Sequence, residues 1–122
     1  MNAGERTIVI IPAYNEAANI EPLLKEVRNS VPNMDVAIIS DGSEDETALV
    51  ARRQGVVVLD LPCNLGVGGA VQAGFLYAYA NGYDYAIRID GDGQHPPSEI
   101  PKLVEAMKQK SADLVLGSRF GA

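Results

Sequence analysis

At 122 residues the chain is one domain by length, and 47% hydrophobic residues are enough to build a core. A formal net charge of -6 and a pI of about 4.6, with no basic cluster, argue against nucleic acid as the main partner. The same acidity means that a phosphate-bearing ligand needs a cation to offset repulsion. Cys63 is the single cysteine, so no internal disulfide is available. A reducing compartment fits that usage, and Cys63 reads as a small, partly buried hydrophobe. Met1 to Arg6 is polar and charged, unlike a signal peptide, and no apolar run of about 18 residues is present to span a membrane.

Five apolar runs rich in Val, Ile or Leu are predicted strands: Thr7 to Pro12, Asp35 to Ser40, Val56 to Leu61, Asp84 to Ile89 and Asp113 to Gly117. Most are apolar on both faces, as buried parallel strands are. Four helical patterns alternate with them. The first carries Ile20, Leu23, Leu24, Val27 and Val31. Pro22 is tolerated only in a first turn, which predicts a start near Asn19. Ser43-Glu44-Asp45-Glu46 has the form of a capping box and predicts a second helix, running to about Gln54 with Gly55 as its stop. The third runs from about Gly68 to Asn81, with small residues on the face of Ala70, Gly74 and Ala78 that would let it lie close on a sheet. The fourth follows Pro97 and carries Ile100, Leu103, Val104 and Met107, with Lys108 and Lys110 in its last turn.

Strands alternating with helices predict an α/β fold, Rossmann-like, with a mostly parallel sheet between two helical layers. Ligands in such sheets bind outside the carboxyl ends of the strands. The unusual polar residues fall there: Tyr14-Asn15-Glu16, Asp41-Gly42-Ser43, Asn64 to Gly69, Asp90-Gly91-Asp92 and Gly117-Ser118-Arg119. The opposite edge offers ordinary turns, such as Val31-Pro32-Asn33 and Asn81-Gly82-Tyr83.

Each stretch has a plain reading beside a chemical one. Asp90 and Asp92 stand two apart, so in an extended backbone both carboxylates can converge on one hard cation, Mg²⁺ or Mn²⁺. They also suit a solvated turn, or an aspartyl-phosphate phosphotransferase in which one of them is the nucleophile. A calcium EF-hand is excluded, because His95 and Pro101 stand where Gly and Glu are needed. Asp41 could accept hydrogen bonds from a ribose or base, while Ser43 could simply cap a helix. The Gly66 loop could cradle phosphate at a helix N-terminus or be a flexible loop, and it matches neither the dinucleotide nor the Walker pattern. His95 is the lone histidine, which argues against zinc. Arg88 reads as a partner for Asp90 or another acid. Arg119 could reach a diphosphate or be an ordinary surface arginine. Tyr14 could stack on a base, and Asn15 could cap the following helix.

Together these stretches resemble glycosyltransferase family 2, the large inverting family of nucleotide-sugar transferases with the GT-A fold. Ile11-Pro12-Ala13-Tyr14-Asn15-Glu16 is similar to the family's opening strand and loop, and Asp41 to Thr47 to its second signature. Asn64-Leu65-Gly66 resembles the third, and Asp90-Gly91-Asp92 with Gln94-His95-Pro96-Pro97 matches its D-x-D stretch. Gly117-Ser118-Arg119-Phe120 looks most like the branch that makes polyprenyl-phosphate and dolichyl-phosphate sugars.

The resemblance implies a donor site for a UDP- or GDP-sugar. Pro12, Tyr14 and Glu16 would surround base and ribose, Asp41 would bind base or ribose, and Gly66 would line the same site. Asp90 would touch sugar or ribose, and Asp92, with Asp90, would hold Mg²⁺ or Mn²⁺. Gln94 would sit near cation and donor, and Arg119 near a phosphate. The acceptor would be a lipid phosphate at a membrane surface, on the cytoplasmic side. Two departures stand out. Ser40 occupies a position where many members carry a second Asp, which touches some base contacts. The family's catalytic domain also continues well past the fifth strand, so residues 1–122 look like its nucleotide-sugar-binding part, without the acceptor part. No catalytic residue is assigned within the chain, and a base, where the acceptor needs one, is expected beyond Ala122. Such a half would expose a sheet edge and favour a homo-oligomer. A binding fragment without turnover is the alternative to an active transferase.

Overall fold

The computed structural model describes residues 6–90, 100–102, 105 and 117–119, the last three by backbone alone. Strand β1 (Thr7–Ala13) is buried along its whole length, as its unbroken run of Ile and Val demands. It pairs in parallel with β2 (Asp35–Ser40) on one side and with β4 (Tyr85–Arg88) on the other. β3 (Val57–Asp60) adds in parallel outside β2. The order across the sheet is β3-β2-β1-β4-β5, so it reverses between β1 and β4. That reversal is a topological switch point, where neighbouring strand ends diverge and leave a crevice.

β5 (Gly117–Arg119) corrects the sequence reading. The apolar pattern predicts a parallel fifth strand over Asp113 to Gly117, but β5 begins at Gly117 and runs antiparallel to β4. The apolar run before Gly117 carries the strand signal, and that run lies outside the described residues. An antiparallel edge on a parallel sheet is common in α/β folds and gives no signal of its own in residues such as Gly, Ser and Arg.

Helices α1 (Ala17–Ser30) and α2 (Thr47–Arg53) cover one face, and α3 (Gly66–Ala80) covers the other. Val9, Ile11, Ile38 and Ile87 meet Ile20, Leu24, Val27, Ala51 and Ile100 on the first face. Ile8, Ile10, Ala37, Ile39 and Ala86 meet Ala70 and Ala78 on the second. Each such Ile, Leu or Val contributes about 1.5–3 kcal/mol on burial. Gly74 lets α3 lie close, because a Cβ there would stand 2.4 Å from Ile10 Cγ2.

α1 begins upstream of the expected start, so Pro22 lies in its second turn. The Glu16 carbonyl accepts from Asn19 and Ile20 N–H groups and opens the helix early. Burial of Ile20, Leu23, Leu24 and Val27 offsets the Pro22 penalty of about 3 kcal/mol. Of the expected fourth helix, residues 100–102 and 105 are helical and Ile100 is in the core. Leu103, Val104, Met107, Lys108 and Lys110 lie outside the described residues.

Candidate functional site

The carboxyl ends of β1 and β2 are bolted together by side chains from both loops. The Asp41 N–H donates to the Ala13 carbonyl at 2.9 Å, extending the ladder by one step. Asn15 then adopts a left-handed backbone, with φ of 53°. That turn aims its Oδ1 at the Glu44 N–H, 2.8 Å away, and its own N–H at Ser43 Oγ, 3.1 Å away. The Glu16 N–H donates to Thr47 Oγ1 at 3.0 Å, and the Ala17 N–H to Asp45 Oδ2 at 3.3 Å. Ser43 and Asn15 therefore each serve the neighbouring loop rather than cap a helix of their own. Asp45 takes the capping part for α2, accepting from Thr47 N–H at 2.9 Å and from the Thr47 hydroxyl. Desolvation pushes the Asp45 carboxyl up, but hydrogen bonds from Thr47 and Ala17 outweigh it and hold the group below its ordinary value.

Asp41 is buried, and its Oδ1 accepts the Leu65 N–H at 2.7 Å. Gly42 follows with φ of +67°, and a Cβ there would lie 2.4 Å from Asn64 N and 2.5 Å from Cys63 C. The β2 loop thus presses directly on the segment that opens α3. Cys63 itself is exposed, contrary to its expected burial, because its backbone rather than its thiol makes this contact. Ser40 is wholly buried, and its Oγ has no hydrogen-bond partner among the described residues. This position faces the packed interior and not the crevice.

Across the switch point, β4 ends in Arg88 and the Ile89 N–H donates to the Ile10 carbonyl at 3.0 Å. The β1–β4 register stops at Ile10 with Arg88, so Pro12 lies just beyond it. With no N–H to offer, Pro12 cannot extend that pairing. Asp90 follows with its side chain 22% exposed, and its Oδ1 meets Arg88 Nη2 at 3.2 Å. Alternation along β2 and β4 places Asp41, Arg88 and Asp90 on the α3 face. Two strand spacings separate the ends of β2 and β4, roughly 10 Å, a span suited to a nucleotide. As a hard oxygen donor at the open edge, Asp90 fits Mg²⁺ or Mn²⁺. No group of three acidic, His or Cys side chains gathers among the described residues.

The model of the family described as "Glycosyl transferase family 2" matches residues 8–122. The chain belongs to glycosyl transferase family 2. It is 40% identical over 119 residues to an undecaprenyl-phosphate mannosyltransferase of Micrococcus luteus, covering 93% of this chain and 48% of that protein. It is 34% identical over 122 residues to a polyprenol monophosphomannose synthase of Mycolicibacterium smegmatis, covering 95% and 46%. The chain therefore spans about half the length of the curated relatives it matches. Among solved structures it is similar to glucosyl-3-phosphoglycerate synthase of Mycobacterium tuberculosis in complex with Mn²⁺, UDP and glucosyl-3-phosphoglycerate. That match has a TM-score of 0.70 at 27% identity and covers 86% of this chain and 40% of that one. The three-layer arrangement is accordingly the GT-A type expected from the sequence.

Within this family frame, the structure gathers some of the expected site residues and separates others. Pro12 is buried at the end of β1, and Tyr14 beside it is 45% exposed. Glu16 lies in the same loop, with Oε2 accepting from Asn19 Nδ2 at 2.6 Å. Asp41 accepts the N–H of Leu65, the residue before Gly66, at the α3 entrance, and Gly66 has φ of +84°. Asp90 stands across the switch point. Asp92, Gln94 and His95 lie outside the described residues. So does Ala122, beyond which the sequence reading expects any catalytic base. Arg119 does not reach the carboxyl edge by its backbone: it pairs with Tyr85, at the amino end of β4. The antiparallel sense of β5 is the reason.

The amino edge holds more than ordinary turns. The Tyr83 hydroxyl donates to Asp35 Oδ2 at 2.5 Å, and the Arg6 guanidinium carbon lies 4.2 Å from the Tyr83 ring centroid. Arg28, Met34, Asp35, Gly55 and Tyr83 line a cleft of about 310 Å³ beside it. Sequence reasoning also missed Asp45 and Thr47 as the pair that fixes the Glu16 loop. The Ser-x-x-Glu pattern drew attention to the right segment but to the wrong residues.

Proposed function

We propose that this chain is the donor-binding part of a glycosyltransferase that moves a sugar from a nucleoside diphosphate to a polyprenyl phosphate at the cytoplasmic membrane face. The observation that carries the reading is the convergence of Pro12, Asp41 and Asp90 on one sheet edge, at the switch point between β1 and β4. The acceptor class is supported by the relatives from Micrococcus and Mycolicibacterium, an undecaprenyl-phosphate mannosyltransferase and a polyprenol monophosphomannose synthase.

In this reading, Tyr14 and Glu16 flank the base and ribose, Asp41 holds base or ribose, and Gly66 leaves the backbone open to the donor. Asp90 and Asp92 would hold Mg²⁺ or Mn²⁺, with Gln94 close by. When bound, such a cation offers charge to offset the departing diphosphate. The acceptor phosphate oxygen attacks the anomeric carbon as the bond from that carbon to the diphosphate oxygen breaks, with inversion. A phosphate acceptor is anionic near neutral pH, so it needs no strong general base. An alcohol acceptor would need one. Arg119 is left out of the donor contacts because of its place at the amino end of β4.

Calorimetric titration of UDP and GDP, each with Mn²⁺ or Mg²⁺, tests the donor site. Failure of both nucleotides with both cations sinks the reading. Sugar transfer to polyprenyl phosphate, by this chain alone and in a form extended to the relatives' length, separates a binding part from an active enzyme. Asp92→Ala is expected to abolish cation-dependent nucleotide binding and leave circular dichroism unchanged.

A further inference from the structure

Resting on the donor-site reading above, we infer that Arg88 is a positioning residue that keeps a divalent cation off Asp90 until a nucleotide diphosphate arrives, so that cation and nucleotide bind together rather than in turn.

Arg88 interrupts the strand Tyr85-Ala86-Ile87-Arg88-Ile89, whose other members are all buried. Its side chain is 26% exposed, and its Nη2 meets Asp90 Oδ1 at 3.2 Å. Its Nε is buried and has no hydrogen-bond partner among the described residues. A buried donor left unpaired destabilises a fold, so an apolar residue would serve this strand better. What Arg88 supplies instead is a fixed positive charge beside Asp90. Both partners are largely withdrawn from solvent, so salt screens them less than it screens a surface pair.

The pair is neutral as a unit. A bare Mn²⁺ approaching Asp90 meets a compensated carboxylate and a repelling guanidinium. A diphosphate reverses this balance, since its charge attracts both the cation and the guanidinium. Cation and nucleotide then strengthen each other's binding, and by linkage the effect is reciprocal. A cation on Asp90 would lie roughly 5 Å from the guanidinium, where removing one positive charge changes a dication's affinity by about tenfold or more even at water-like screening.

The test is calorimetry of Mn²⁺ binding, with and without saturating UDP or GDP, on the wild-type chain, Arg88→Gln and Arg88→Lys. Arg88→Gln should bind Mn²⁺ alone about tenfold more tightly, and the factor by which nucleotide strengthens Mn²⁺ binding should shrink about as much. Arg88→Lys, which keeps the charge, should behave like the wild type. Unchanged or weaker Mn²⁺ binding by a folded Arg88→Gln protein overturns the role of Arg88 alone. If that variant does not fold, the wild type still decides: equal Mn²⁺ affinity with and without nucleotide overturns the inference. Absence of UDP and GDP binding to the wild type overturns the donor-site reading as well.

Discussion

The carboxylate of Asp41 accepts the Leu65 N–H at 2.7 Å, and this bond ties the end of β2 to the entrance of α3. The donor is a backbone group at a helix start, where four N–H groups lack partners inside the helix. Asp41 itself is buried, so water cannot replace the bond cheaply. Asp41→Ala should cost about 1–3 kcal/mol in urea unfolding, as expected for a buried donor left without its acceptor. Asp41→Asn keeps an acceptor oxygen and should lose less. The same Asn variant separates two roles: near-native stability with lost nucleotide binding would assign the charge to the ligand and the oxygen to the fold.

Gly74 poses a contest between helix propensity and packing. Alanine is favoured over glycine inside a helix by roughly 1 kcal/mol. Its Cβ, however, would stand 2.4 Å from Ile10 Cγ2 in the middle of the core. Overpacking of this kind costs about 1–3 kcal/mol, and Ile10 is fully buried with little room to move. Gly74→Ala should therefore destabilise on balance, and denaturant midpoints with unchanged slope would record it. Ile10→Ala, which removes Cγ2, combined with Gly74→Ala should cost less than the sum of the two single substitutions.

Much of this architecture was legible in local pattern. The runs Thr7 to Pro12 and Asp35 to Ser40 match the first two strands to within a residue, because continuous β-branched sequence suits strands buried on both faces. Gly74 and its small neighbours announced a helix lying close on the sheet. The site's edge followed from topology, since all polar loops after parallel strands emerge at one end. What stayed hidden depends on partners far apart in sequence. Asn15 bonds to Glu44, and Tyr83 to Asp35, and no periodicity links such pairs. Pro22 misled the helix start, because tertiary burial of Ile20 and Leu24 outweighs a local penalty. β5 misled as well, since alternation of strands and helices predicts the parallel sense and cannot signal an edge that turns back.

Asn15 combines a left-handed backbone with two loop-bridging bonds, and the two contributions can be separated. Asn15→Ala loses the Oδ1 contacts to the Glu44 and Asp45 N–H groups and also strains φ of 53°. A loss of about 1–3 kcal/mol is expected. Asn15→Gly relieves the backbone strain and keeps the loss of the side-chain bonds, so its stability should fall between Ala and wild type. Hydrogen exchange at the Glu44 amide should quicken in both variants. Equal protection in all three proteins would remove Asn15 as the bridge between the two loops.

Tyr83 makes alkaline stability a test of the opposite sheet edge. Burial, aided by the hydrogen bond to Asp35 and the Asp35 charge, raises the phenol from 10.0 to about 12, while Arg6 pulls the other way. The folded chain thus holds the proton over a range in which the unfolded chain releases it. The folded state binds more protons there, so stability falls as pH rises. The contribution is complete below about pH 10, the ordinary tyrosine value, and is lost as pH approaches 12. Tyr83→Phe removes the ionisation and should flatten this part of the stability profile relative to wild type. It also leaves Asp35 without the hydroxyl donor that stands 2.5 Å away, so its stability at neutral pH should be lower. Urea unfolding of both proteins from about pH 8 to about pH 12 tests the assignment through the difference between the two curves, because other groups that titrate in this range are common to both. Parallel curves would exclude Tyr83 as the source of any alkaline loss.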